Sequence, residues 1–239
     1  DRGAAGAAPP AAPMMAAMPV RIETIGDEAQ PLCILDDFAP DPDALRGFAA
    51  TAAFEPALHH YPGIRAALPP GYFDAALPAI AEAAARAFAR TGPVTIIDAS
   101  FSIVTTPPAA LGIAQRLPHV DAFTPDRIAF IHYLSPEGGD GTAFFRHRST
   151  GFETVTEERR ALYFRQLDTE LRHRGPPPAA YVAGDTALFA QAHVAEARYN
   201  RALLYRSSNL HSGAISPEAA LSPDPRQGRL TITAFLSIG

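Results

Sequence analysis

The pattern of apolar and polar positions divides the chain into a helical first part and a strand-rich second part. Residues 31–38 form a short apolar run typical of a strand. Asp41 and Pro42 then mark a helix start, because Asp caps helices well and Pro suits the first helical position. Apolar side chains recur at helical spacing over residues 73–90, which predicts a second helix.

Short β-type runs separated by turn signals dominate the rest of the chain. They lie at residues 94–98, 101–105, 127–134, 142–145, 186–189, 202–205 and 230–236. One helix interrupts them over residues 156–174, with acidic side chains in its first turn and basic ones in its last, as the helix dipole favours. The pattern predicts a mainly β fold with flanking α-helices, in which N-terminal helices support a double-stranded β-helix, or jelly roll.

Length and composition change this picture little. A chain of 239 residues with 47% hydrophobic residues can bury a sizeable core, and we expect one domain over residues 21–239. The Ala-, Pro- and Met-rich residues 1–20 are predicted to be a disordered extension. No apolar run is long enough for a transmembrane helix, so no membrane partner is expected.

Charge and cysteine usage exclude several function classes. A formal net charge of -5 does not favour a nucleic-acid partner. All 20 cationic residues are arginine, which excludes lysine Schiff bases and Walker-type phosphate sites. The single Cys33 excludes disulfide frameworks, cysteine zinc sites and iron–sulfur clusters, and it fits a reducing, cytoplasmic location. Any metal must therefore be held by His, Asp, Glu or water.

The first candidate for chemistry is the pair His119 and Asp121. On a strand, side chains two residues apart point to the same side and start about 6.6 Å apart. An imidazole and a carboxylate could then converge on one ion while Val120 points away. The same three residues are also typical of a polar surface turn, since Pro118 precedes them.

His211 extends this candidate to three ligands. It follows the apolar run at residues 202–205, in the segment Ser207-Ser208-Asn209-Leu210-His211. Two histidines and one carboxylate form the facial triad of non-haem Fe(II) oxygenases, which leaves the opposite face of the metal open. The same ligands can hold Zn²⁺ with a water.

The last predicted strand carries a second candidate. Its positions alternate, so Arg229, Thr231 and Thr233 share one face while Leu230 and Ile232 share the other. An arginine facing a barrel interior needs an anion, and a carboxylate bound in a bidentate pair suits it. The alternative is an arginine at a sheet edge, paired to a surface acid.

Five motifs occur in an order that resembles one superfamily. They are His119-x-Asp121, Arg127-Ile-Ala-Phe-Ile-His-Tyr133-Leu134-Ser135, Gly138-Gly139-x-x-Thr142-x-Phe144, His211-Ser212-Gly213 and Arg229-x-Thr231. Over residues 117–236 the chain resembles the 2-oxoglutarate/Fe(II)-dependent dioxygenases, in particular the prolyl-hydroxylase-like branch.

The resemblance implies a site and a reaction. The metal ligands and catalytic triad it implies are His119, Asp121 and His211, and Arg229, Thr231 and Tyr133 match positions that bind the distal carboxylate of 2-oxoglutarate. It implies an Fe(II) cofactor, with 2-oxoglutarate and O₂ as cosubstrates. The expected enzyme is a hydroxylase that oxidises a C–H bond of a small molecule or peptide, with release of succinate and CO₂.

Several alternatives stay open on the sequence alone. The spacing from His211 to Arg229 is longer than usual in the superfamily, which leaves Arg226 as a rival anchor. Residues 61–65 could form a lid over the site or a plain connector. Residues 146–148 could bind an anionic group of the substrate or form a solvated charged loop. Asn209 could face the pocket or simply form a turn. A cupin-like protein using Zn or Mn without 2-oxoglutarate would place Arg229 at the surface. A non-catalytic jelly-roll binding module would not need the histidines.

Overall fold

The computed structural model describes residues 20–58, 61–137 and 139–239. The predicted disordered extension, apart from Val20, lies outside the described residues, as does Gly138. Over these ranges the fold is mainly β, with two antiparallel sheets that are not closed into a barrel and three α-helices. No helix in these three ranges is both long and apolar enough to cross a membrane.

Helices separate groups of strands along the chain. The helices are α1 (Pro42–Ala49), α2 (Tyr72–Phe88) and α3 (Glu157–Arg174). The strands are β1 (Val20–Ile25), β2 (Gln30–Leu35), β3 (Glu55–Pro56), β4 (Gly63–Ala66), β5 (Val94–Val104), β6 (Arg127–Tyr133), β7 (Gly139–His147), β8 (Phe189–Ala197), β9 (Arg201–Arg206), β10 (His211–Gly213) and β11 (Leu230–Ile238).

Two sheets face each other. The large sheet has the strand order β1-β2-β9-β6-β11-β5-β4-β3, and the small sheet has the order β10-β7-β8. Ile131, Tyr133 and Leu203 from the large sheet are buried in one apolar cluster with Phe144 from the small sheet. These side chains form an apolar core between the two sheets. The rest of the space between the sheets includes the cavity described below.

The helices cover the outer faces of both sheets. Ile80 and Phe88 of α2 are buried in one cluster with Phe130 and Ile232 from the large sheet. Tyr163 of α3, with Leu167, belongs to a separate cluster that includes Phe145 and Phe189 of the small sheet. Burying one large apolar side chain stabilises the folded state by about 1.5–3 kcal/mol, so these contacts are the main reason that the helices dock.

The predicted helices agree with the structure, and the strands agree less closely. Asp41 caps α1 by accepting a hydrogen bond from the Ala44 N–H at 2.9 Å, as expected. The runs at residues 94–98 and 101–105 form one continuous strand, β5. The strand predicted at residues 186–189 is wrong, because the pairing with β7 begins only at Phe189 and continues to Ala197. Strand β1 was not predicted.

The alternation of β11 gives the sheet its two faces. Ile232 and Ala234 are buried in the core beneath α2, while Thr231 and Thr233 line a cavity between the sheets. The residue that begins this segment, Arg229, also lines that cavity. Period-two alternation thus places one row of polar side chains inside the sandwich.

His132 joins three elements on the opposite face of the large sheet. Its Nε2 donates to Asn200 Oδ1 at 2.9 Å, and its Nδ1 accepts from the Tyr72 hydroxyl at 3.0 Å. Asn200, at a left-handed φ of 60° that Asn tolerates better than most residues, also accepts from the Ala39 N–H. Burial lowers the pKa of His132 from 6.5 to about 4, so this network holds a neutral imidazole.

His132 is expected to make stability depend on acidity. Between pH 6.5 and about 4 the unfolded chain binds a proton that the folded chain does not, so the free energy of unfolding rises with pH in this window. The loss on acidification is about 3 kcal/mol. Urea unfolding across the window should show a shallower pH slope for His132→Gln than for the parent. Parallel slopes would contradict the prediction, and His173→Gln, on the exposed face of α3, is the matched control.

Candidate metal centre

Two predicted ligands face each other across an antiparallel bridge. The His119 N–H donates to the His211 carbonyl at 2.9 Å, and the His211 N–H donates back to the His119 carbonyl at 2.9 Å. β10, which carries His211, also pairs with β7, so this bridge extends the small sheet by one short segment. Directly opposed residues keep their side chains close, and the two imidazole centroids are 4.4 Å apart.

Asp121 reaches the same point from two residues further along. Its N–H donates to the Ser207 carbonyl at 2.8 Å, which keeps the segment extended beyond the bridge. Its Oδ1 lies 3.6 Å from His119 Nε2, and its Oδ2 lies 3.4 Å from His211 Nε2. One ligand atom from each of the three residues lies within 4.8 Å of the others, so the structure brings the predicted triad together.

The three side chains differ in exposure. His211 is only 7% exposed and Asp121 13%, whereas His119 is 53% exposed. His211 Nδ1 is 2.9 Å from the Asn209 carbonyl, an arrangement that fixes the proton on Nδ1 and leaves Nε2 free to bind a metal. The edge of the Tyr205 ring packs on this imidazole with centroids 4.8 Å apart, which restricts its rotation.

The triad lies in the wall of a cavity between the two sheets. The cavity has a volume of about 440 Å³. Its polar lining includes the triad, Arg229, Thr231, Thr142, Ser212, Tyr61, Arg65 and Asp98. This volume is within the range of pockets that bind small molecules.

Arg229 brings a partly buried cationic group to this cavity. Its Nη2 donates to the Gly141 carbonyl at 3.0 Å, and its guanidinium lies 5.6 Å from the centroid of the Tyr133 ring. Its Nε is buried and has no hydrogen-bond partner among the described residues. A buried donor without an acceptor is costly, so this group is poised for an anion in the cavity.

Of the two other residues predicted to bind 2-oxoglutarate, Thr231 lines the cavity and Tyr133 does not. The Tyr133 hydroxyl is 2.6 Å from Oγ1 of Thr142, which does line the cavity. Thr231 lines the cavity and donates to the Ser102 carbonyl at 3.2 Å. A cosubstrate contact of Thr231 is consistent with this position, and that of Tyr133 stays a prediction.

Tyr61 also lines the cavity, although the sequence motifs did not identify it as a ligand-binding residue. Its hydroxyl is buried and lacks a partner in hydrogen-bonding geometry within the described ranges, although Thr231 lies nearby. Burial raises the pKa of Tyr61, and the nearby Arg229 opposes that rise. Gly63 makes this placement possible, because a Cβ there would lie 1.9 Å from the Ile103 carbonyl oxygen of β5. The segment that fitted a lid or a connector is thus a paired strand preceded by a cavity-lining tyrosine.

The other candidates lie outside this cavity. Arg226 is 66% exposed and faces Asp224 at 3.8 Å, so Arg229 is the better placed of the two possible anchors. Arg146 pairs with Asp27, and Arg148 with Asp185, on the surface. Residues 146–148 thus lie at the end of β7, where the two arginines make surface ion pairs and His147 between them is buried against Glu170.

The donor set fits a divalent transition metal. Two imidazoles and one carboxylate are the ligands that non-haem Fe(II) sites use, and they occupy one side of the ion. Zn²⁺ accepts the same set. The donor set alone therefore accepts either metal.

Comparisons with known proteins give a family and distant structural neighbours. A family model described as "Family of unknown function (DUF6445)" matches residues 16–236. No curated protein shows significant similarity to the chain. AviO1 from Streptomyces viridochromogenes Tue57 is 13% identical, with a TM-score of 0.42 over 87% of this chain and 90% of that one. An N-substituted L-amino acid dioxygenase from Burkholderia ambifaria AMMD is 13% identical, with a TM-score of 0.40 over 88% and 83%, and its complex with alpha-KG scores 0.39 over the same shares at the same identity.

Proposed function

The chain belongs to the DUF6445 family of unknown function, and we propose that it is an Fe(II)- and 2-oxoglutarate-dependent oxygenase with an open jelly-roll fold. One observation carries the proposal. The triad of His119, Asp121 and His211 shares a single cavity with the buried, unpartnered Nε of Arg229. A facial triad and a cation for a dicarboxylate are the two features that this chemistry requires.

The triad would hold the metal, and the protein would orient the reactants around it. Bound Fe(II) supplies the oxidising chemistry, by which 2-oxoglutarate, O₂ and a substrate R–H give succinate, CO₂ and R–OH. Asp121 supplies the negative charge that partly neutralises the ion. The Asn209 carbonyl keeps His211 in the tautomer that presents Nε2, and Tyr205 holds the ring in place.

Arg229 would bind the distal carboxylate of 2-oxoglutarate. The guanidinium offers Nε as a free donor, and the Tyr61 hydroxyl and Thr231 face the same region of the cavity. Charge-assisted hydrogen bonds from arginine to carboxylate are about twice as strong as neutral ones. Tyr133 supports this group from below through its ring, at 5.6 Å from the guanidinium carbon.

The two alternative functions predict different roles for these residues. A cupin-like Zn or Mn protein has no use for a buried cation directed at a dicarboxylate. A non-catalytic binding module has no use for three converging metal ligands with a fixed tautomer. The combination of both features in one cavity favours the oxygenase over either alternative.

The direct test is turnover of 2-oxoglutarate by the protein purified without oxygen. Adding Fe(II), 2-oxoglutarate and then O₂ is expected to release succinate, slowly if no substrate is present. His119→Ala should lose succinate formation and iron affinity together. His173→Ala, which removes an exposed histidine on α3, should retain both.

Two results would reject the oxygenase. The first is a parent protein with no affinity for Fe(II) or 2-oxoglutarate. The second is equal affinity for both in the parent and in His119→Ala. Tight Zn²⁺ or Mn²⁺ binding without any 2-oxoglutarate binding would instead support the cupin-like alternative.

A further inference from the structure

A second arginine, Arg65, lines the same cavity from a strand nearer the edge of the large sheet. β4 pairs with β5 and β5 pairs with β11, so Arg65, Ser102 and Thr231 form one row across three strands. Adjacent strands are about 4.8 Å apart, so Arg65 starts about two strand spacings from Thr231. Arg65 and Arg229 thus enter the same cavity from different strands, and Tyr61 lies near both of them.

Arg65 is paired with Asp98 through a single weak contact. Arg65 Nη1 lies 3.3 Å from Asp98 Oδ2, with the side chains 24% and 56% exposed. The Arg65 guanidinium also lies over the Tyr61 ring, 4.8 Å from its centroid. An exposed ion pair with one contact contributes about 0–1 kcal/mol, so stability alone does not account for placing two charges in the cavity wall.

Arg65 has an unused donor on its buried side. Its Nε is buried and finds no acceptor among the described residues. Because the pair with Asp98 uses only Nη1, Arg65 retains donors for a carboxylate from another molecule. Asp98, which is more than half exposed, likewise retains acceptor capacity for a positively charged nitrogen.

The wall of the cavity also has apolar parts. Leu58, Val182, Ile215 and Phe235 line it, and Phe235 pairs with Asp98 across β11 and β5. Leu58 is largely exposed, so a ligand that covers it removes apolar surface from water. A ligand for this region thus needs an apolar body as well as charged groups.

We propose that Arg65 and Asp98 together recognise the substrate, and that this substrate is a small zwitterion with an apolar body, of the α-amino-acid type. Its carboxylate binds Arg65 and its ammonium group binds Asp98, while the apolar part lies toward the triad. This assignment rests on the proposed oxygenase function, which supplies the reaction at that apolar part. A substrate with only a negative charge would be repelled by Asp98, and one with only a positive charge by Arg65.

The test compares three forms of the same apolar body. The probes are L-valine, L-leucine, L-isoleucine and L-phenylalanine, each with its N-acetyl derivative and its amide. Calorimetry is performed on the protein alone and on the protein with 2-oxoglutarate and Zn²⁺, which has no redox chemistry of its own. At least one free amino acid is expected to bind about tenfold or more tightly than both of its singly charged derivatives.

Two variants assign the charges to their residues. Arg65→Gln is expected to lower the affinity for the free amino acid about tenfold or more and to leave the affinity for 2-oxoglutarate unchanged. Asp98→Asn is also expected to bind the free amino acid more weakly than the parent does. It should bind the N-acetyl derivative as well as the parent does, or better. Arg148→Gln, which removes a surface ion pair to Asp185, is the matched control and should change neither affinity. Thermal unfolding checks that each variant is folded.

Three results would overturn the proposal. They are no detectable binding of any probe at millimolar concentration, tighter binding of an N-acetyl derivative or an amide than of its free amino acid, and loss of 2-oxoglutarate affinity in Arg65→Gln. The last result would assign Arg65 to the cosubstrate. Probe binding to the protein alone does not require Fe(II) or 2-oxoglutarate, so it can succeed or fail independently of the oxygenase test.

Discussion

Replacing Arg229 with glutamine is expected to weaken 2-oxoglutarate binding by roughly 100-fold, because truncating one partner of a buried charge pair costs about 2–5 kcal/mol. The Arg229 side chain lines the cavity beside Thr231, and its buried Nε has no partner in the described ranges. Arg229→Lys keeps the charge but loses the planar donor pair, so we expect an intermediate loss. Calorimetry with the Zn²⁺-loaded protein measures both losses without turnover.

Arg226→Gln is the matched control for this prediction. Arg226 lies three residues earlier, is largely exposed and faces Asp224 outside the cavity. It should bind 2-oxoglutarate as the parent does. A larger loss in Arg226→Gln than in Arg229→Gln would show that the wrong arginine has been assigned as the anchor.

Replacing His211 with alanine is expected to lower metal affinity by at least about 100-fold, since loss of residues that merely support ligands already costs about 10–100-fold. His211 is the most buried member of the triad, and its Nε2 lies 3.4 Å from Asp121 Oδ2. Its removal takes away one of the three ligands proposed above. Competition with a metal-sensitive dye measures the affinity for Fe(II) under anaerobic conditions and for Zn²⁺ in air.

The control for His211→Ala is His193→Ala. His193 is partly exposed, lies near Glu23 at 3.5 Å and is absent from the triad. We expect it to leave metal affinity unchanged. Unaltered metal affinity in His211→Ala, with the variant shown to be folded by thermal unfolding, would exclude the triad as the metal site.

Local sequence patterns predicted those helices and strands whose own residues favour the structure that they adopt. The helix over residues 157–174 has charges ordered along its dipole, and β11 has strict period-two alternation. β8 was misplaced because its sequence, FAQAHVAEA, is rich in Ala and Glu, which favour helices over strands. Pairing with β7 overrides that preference, and pairing between distant segments is not visible in a local pattern.

The site was predictable as far as it depends on short motifs. Residues His119 and Asp121 lie two apart on an extended segment, so their convergence follows from strand geometry. The role of Tyr61 could not be found in this way, because it reaches Arg229 only after β4 has paired with β5. The same is true of Arg65, whose partner Asp98 is 33 residues away in sequence.

The reciprocal hydrogen bonds between His119 and His211 have a consequence for the protein without metal. The main chain, rather than a bound ion, sets the spacing of the two imidazoles. Because these two segments are already ordered, ion binding would cost little conformational entropy there. Unlike a zinc finger, which is unfolded until its ion binds, the proposed metal site needs no ion to bring its two histidines together.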